Sequence, residues 1–186
     1  MKGRIDATQN LQDTILLPRY NSVMPTSDIL EILLKHDQWA TAQILDASAK
    51  LTSEQFHQRF EMGPGSLHDT LTHMLGAMRA WTQMLAGQTP GPRLEQDGKR
   101  TPAELAALLE SCARDFGAEA HRRPLDETIT RSRDGKTYQF TRGAVLAHVA
   151  THGMHHRAQC LNMLRQLGVS PLPHSSVAEW TWMADR

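Results

Sequence analysis

Four stretches of the chain repeat apolar residues at three- and four-residue intervals, the spacing that puts side chains on one stripe of an α-helix. The first places Leu30, Leu33, Leu34, Ala40, Ile44 and Ala47 on a stripe. The cluster Thr26-Ser27-Asp28 offers its N-cap, and the pattern fades near Ala49. The second carries Leu67, Leu71, Met74, Leu75, Met78 and Trp81 and stops near Gly87, ahead of Pro90-Gly91-Pro92. Ser66 and Asp69 have the spacing of a capping box at its start. In the third, Thr101-Pro102-Ala103-Glu104 sets a cap, a proline at N1 and an acid at N3 before Leu105, Leu108, Leu109, Cys112, Phe116 and Ala120. It is predicted to end at His121-Arg122-Arg123-Pro124, where cations suit the negative helix terminus. The fourth runs from about Thr141 to Leu167, with Gly168 as its stop and Pro171 beyond.

Between these stretches the periodicity changes. Leu51 to Phe56 reads as one capped turn of helix, and Gly63-Pro64-Gly65 breaks the chain after it. The segments Glu127–Arg131 and Lys136–Phe140 alternate around Asp134-Gly135, a type I′ turn signal, and predict a short hairpin across one end of the helices. Four long amphipathic helices bury their stripes only against one another. The expected fold is all-α, a four-helix bundle with a short β-hairpin between helices three and four. Residues 1–27 lack sustained periodicity and are expected to form an N-terminal extension to a bundle spanning 28–186. Trp180 and Trp182 in the tail suit a terminal lid or a subunit contact.

Composition narrows the class. A chain of 186 residues with 40% hydrophobic content suits one domain. Its 20 basic and 20 acidic side chains cancel, so no long-range field draws it to a nucleic acid or an anionic membrane. No apolar run is long enough for a membrane span or a signal-peptide core, so a cytoplasmic protein is expected. Cys112 and Cys160 fall on separate predicted helices and read as buried small hydrophobes rather than a disulfide. Cys160, four residues past His156, has one further reading as a group on the histidine face.

The chemistry concentrates in the fourth helix, where His148, His152, His155 and His156 lie within nine positions. Neutral imidazole is a common metal ligand, and two histidines one turn apart bind a single ion without bending the backbone. A helix drifts by about 40° every four residues, so His148, His152 and His156 fan over roughly 80° and make a better pair than a trio. His155 points elsewhere, and His73 in the second helix gains interest only if it faces the cluster. His36 and Asp37, near the first apolar stripe, read as a local polar contact.

His73 followed far downstream by Thr151-His152-Gly153-Met154-His155-His156-Arg157-Ala158-Gln159 resembles the DinB-like (DinB/YfiT-type) family of bacterial four-helix bundles, related to thiol transferases. Asp37-x-Trp39, Leu51-Thr52-x-x-x-Phe56, Gly65-Ser66-Leu67 and Trp81 before Leu85-Ala86-Gly87 support the likeness, which extends from about Leu30 to Pro173. The resemblance implies one divalent metal ion, zinc or nickel, held by His73, His152 and His156 with a coordination position left open. It implies a metal-dependent thiol S-transferase that joins a low-molecular-weight thiol cosubstrate to a small electrophile, and a homodimer. In that scheme His148 takes up a proton or contacts the small-molecule substrate, and Arg157 meets a substrate carboxylate. Two alternatives are a metal-dependent hydrolase and a non-catalytic metal-binding bundle. Two positions depart from the family pattern: Met78 stands where an acidic residue is frequent, and His174 where an aspartate often follows the final loop's proline. The first departure implies that backbone carbonyls or water orient the ligands.

Overall fold

A computed structural model describes residues 28–184, and the extension expected over 1–27 lies outside the described residues. Six helices and one hairpin follow in order: α1 (Ile29–Ser48), α2 (Ser53–Phe56), α3 (Leu67–Leu85), α4 (Pro102–Arg122), β1 (Thr128–Arg133), β2 (Lys136–Thr141), α5 (Arg142–Gln166) and α6 (Val177–Ala184). A 3-10 turn, Leu94–Gln96, lies between α3 and α4. Helices α1, α3, α4 and α5 form the bundle. Each of α1 and α3 packs against both α4 and α5, so the two histidine-bearing helices α3 and α5 are neighbours. Among the described residues no helix is long and apolar enough to cross a membrane.

The helix starts follow local chemistry. The Leu30 amide donates to Asp28 Oδ1 at 2.9 Å, and the Ala144 amide to Thr141 Oγ1 at 3.2 Å, satisfying amides that the first helical turn leaves without partners. Thr101 and Glu104 form the full capping box with Pro102 at the first helical position, and Thr52 and Gln55 form another at α2. At α3 only half of the expected box forms. Ser66 Oγ accepts from the Asp69 amide at 3.0 Å, but the Asp69 carboxylate turns away to Arg59 at 2.6 Å and His68 at 2.9 Å. A charged partner within reach outcompetes a neutral backbone amide.

Two apolar clusters fill the bundle. One gathers Ile44, Leu45, Phe56, Leu71, Leu75, Leu105 and Leu164; the other gathers Met78, Leu85, Phe116, Val145 and Val149. Arg142, the first residue of α5, is fully buried at one end of the bundle. Its guanidinium donates to the Leu85 carbonyl at 2.8 Å and to the Glu119 carbonyl, tying together the C-terminal turns of α3 and α4. A cation there satisfies carbonyls that carry the negative end of each helix dipole.

The hairpin is antiparallel, with Thr128 opposite Thr141 and Arg133 opposite Lys136. Asp134 at φ 52° and Gly135 at φ 72° make the two-residue turn with both φ values positive, as a type I′ turn requires. The hairpin leans on α3 and α5, and Phe140 meets the Trp81 ring edge-on at 5.8 Å. After α5 in the chain, helix α6 begins with a reciprocal cap between Ser176 and Glu179 and packs along α1. His36 Nε2 donates to the Ser175 carbonyl at 2.9 Å, and its ring lies 6.2 Å from Trp180. His36 therefore binds the tail, not its neighbour Asp37.

Candidate metal centre

The neighbouring faces of α3 and α5 bring three imidazoles together. His73 Nε2 lies 3.2 Å from His152 Nε2, and one nitrogen from each of His73, His152 and His156 falls within 4.8 Å of the others. The ring centroids are 4.4 Å apart for His152 and His156 and 4.9 Å for His73 and His156. Two ligands with metal–nitrogen bonds of about 2.0–2.1 Å at tetrahedral angles sit roughly 3.3 Å apart, so the His73–His152 separation suits one ion. Among the described residues this is the group of histidine, cysteine and carboxylate side chains close enough to share a metal.

Protonation favours the same use. Burial lowers the His152 pKa to about 4, helped by the neighbouring His156, His73, His148 and His155. Burial also lowers His156, against the effect of its hydrogen bond to Gln159. Both imidazoles are neutral at pH 7 and present a lone pair, the form a metal requires.

Outer partners set which nitrogen is free. His73 Nδ1 lies 3.0 Å from Glu95 Oε1; the carboxylate only accepts, so the proton sits on Nδ1 and Nε2 faces the other histidines. His156 Nδ1 donates in the same way to Gln159 Oε1 at 2.8 Å, and the Gln159 amide nitrogen donates to His155 Nε2 at 3.0 Å. His155 thus steadies the residue that orients His156. Glu95 thus brings to His73 the carboxylate that position 78, a methionine, does not offer. Its position depends on Gly76, one turn beyond His73. A Cβ there would lie 3.1 Å from Leu94 Cβ, so the glycine lets the 3-10 turn approach α3, and Leu94, 2% exposed, anchors it.

The remaining expected residues divide. His148 lies on the exposed rim, 5.6 Å from the His152 ring and edge-on to Trp81 at 5.3 Å. Arg157 is elsewhere. One residue past His156, it turns about 100° inward to α1, where it is 4% exposed and its Nη1 is bonded to Asp37 Oδ1 and lies 3.4 Å from Thr41 Oγ1. Burial pushes the Asp37 carboxyl above its usual range, and the Arg157 charge opposes that rise. The guanidinium is thus paired with Asp37 inside the bundle and is not among the residues that line the cleft beside the triad. Cys160 is also no part of the histidine group. It is fully buried in the apolar core, and burial raises its thiol pKa to about 12.

Beside the triad opens a cleft of about 490 Å³, lined by His73, Trp81, Glu95, Arg131, His148 and His152 among others. Three histidines close enough to share one ion, two of them with the tautomer set by an outer partner and two lining an open cleft, make this a helical bundle with a group that could hold a metal ion. The sequence comparisons give the family. The chain belongs to the DinB family, whose pattern matches residues 24–184. It is 27% identical over 159 residues to Protein DinB of Bacillus subtilis (strain 168), an alignment covering 79% of this chain and 91% of that protein.

Proposed function

We propose that this chain is a metal-dependent thiol S-transferase acting on a small electrophile, with zinc or nickel held by His73, His152 and His156. The observation that carries the reading is the donor set: three imidazoles from two helices, close enough to share one ion, with His73 and His152 lining an open cleft. Held by His73, His152 and His156, a divalent ion would supply Lewis acidity that lowers the pKa of a thiol and favours the nucleophilic thiolate.

The chain's own residues do the rest. Glu95 and Gln159 hold two ligand rings in place. His148, on the cleft rim, accepts the proton released as the thiol S–H bond breaks. The sulfur electron pair forms the new S–C bond, and the leaving group departs with its electron pair and recovers that proton. Trp81 gives the cleft an apolar wall for the electrophile. The protein is proposed to work in the cytoplasm as a homodimer.

A cobalt-substituted sample tests this directly. Glutathione, bacillithiol or mycothiol should produce a sulfur-to-metal charge-transfer band, and thiol consumption with a model electrophile should exceed the uncatalysed rate. His152→Ala should lose the metal, while His148→Gln should keep it and slow turnover by about 10²-fold. A loaded protein that binds none of these thiols and accelerates no conjugation would turn the assignment to hydrolysis or to a non-catalytic role.

A further inference from the structure

The cleft is electrically lopsided in a chain whose formal net charge is zero. Three arginines from three separate elements line it: Arg79 from α3, Arg93 from the loop before the 3-10 turn, and Arg131 from β1. Glu95 is the one carboxylate among its lining residues, and it is committed to His73. Two of the guanidinium groups are held in place. Arg79 Nη2 donates to the Pro92 carbonyl at 2.8 Å, and the Arg131 guanidinium lies over the Trp81 ring at 5.5 Å, a cation–π contact. The loop carrying Arg93 is braced by the Gly91 amide, which donates to Gln83 Oε1 at 3.1 Å. Cations converging on a cleft without matching acids repel one another, and an anionic ligand relieves that repulsion.

We infer that Arg79, Arg93 and Arg131 form an anion subsite that selects a thiol cosubstrate bearing carboxylate or phosphate oxygens. The identity of thiol as the reacting partner rests on the transferase reading; the anion subsite rests on the cleft alone. Guanidinium pairs such oxygens through two parallel N–H donors, which fixes orientation as well as charge. The anionic head sits against Arg93 and Arg131 while the sulfur reaches toward the histidine wall. This subsite takes over the carboxylate-binding role that Arg157 is too buried to perform.

The test uses two thiols of opposite character, mercaptosuccinate and neutral 1-thioglycerol, titrated into the cobalt-loaded full-length protein and read by the charge-transfer band. Mercaptosuccinate should half-saturate at a concentration at least about tenfold lower than thioglycerol, a preference of roughly 1.4 kcal/mol that shrinks as salt rises. Arg131→Gln and the exposed Arg93→Gln should each reduce that preference and leave thioglycerol binding unchanged. In parallel, succinate and inorganic phosphate are titrated into metal-free protein and followed by the Trp81 indole NMR signal, which separates carboxylate from phosphate recognition. Equal affinity for both thiols would overturn the anion subsite and leave the transferase reading standing. No thiol band, with a Trp81 shift by succinate or phosphate that Arg131→Gln abolishes, would overturn the transferase reading and keep the subsite. Neither signal would overturn both.

Discussion

Gly153 sits one position past the ligand His152 on α5, facing the buried pair of Asp37 and Arg157, and replacing it with alanine should reverse the usual sign of such a change. In an unobstructed helix, glycine to alanine stabilises by about 1 kcal/mol, because alanine loses less backbone freedom on folding. Here the added Cβ would fall far inside contact distance of Asp37 Oδ1 and 2.9 Å from Arg157 Nη1. Both partners are buried, Asp37 at 6% and Arg157 at 4% exposure, so neither moves into water without losing the other. Losing one side of a buried ion pair costs about 3–5 kcal/mol. Subtracting the propensity gain leaves Gly153→Ala destabilised by roughly 2–4 kcal/mol, a fall of about 5–15 °C in Tm for a chain of this size. Gly117 in α4 is the control, since a Cβ there meets nothing within 4 Å. Gly117→Ala should gain up to about 1 kcal/mol. Urea and thermal unfolding followed by circular dichroism give both values. If Gly153→Ala stabilises as Gly117→Ala does, the pair is not packed against that backbone and the reasoning is wrong.

Three further outcomes follow from the same geometry. Glu95→Ala frees the His73 ring and should weaken divalent-metal affinity about 10–100-fold by competitive chelator titration; unchanged affinity would show that the carboxylate does not orient the ligand. Because folding lowers the His152 pKa from 6.5 to about 4, the unfolded chain binds more protons between those values. The metal-free protein should therefore hold its full stability above about pH 6.5 and lose it as pH falls toward 4, a slope that His152→Gln should flatten. A slope that persists in the variant would assign it to other groups. Trp182 at 59% and Met183 at 39% exposure leave apolar surface on α6 that suits a dimer contact, so light scattering at micromolar concentration should exceed the 20.9 kDa of one chain; a monomer mass would refute the contact.

The four bundle helices, their starts and the His152–His156 pair were legible in the sequence, because those signals act over a few residues, whereas helix α6 was read only as a tail. The caps at Asp28, Ser66, Thr101 and Thr141 stand where short-range spacing puts them, and the fourth-helix pattern carries His152 and His156 one turn apart. Spacing says nothing of how far each helix rotates about its axis or which helix it meets. That rotation decided that Arg157 turns inward to Asp37, 120 positions away, while His156 turns toward His73. Tertiary structure alone brought Glu95 to His73 across 22 positions, through a loop whose approach depends on a glycine and a buried leucine. It also set Arg142 beneath the ends of α3 and α4, and Arg131 over Trp81 at the mouth of the cleft. A charged side chain takes its role from the partner that desolvates or neutralises it, and in this fold those partners lie on other elements.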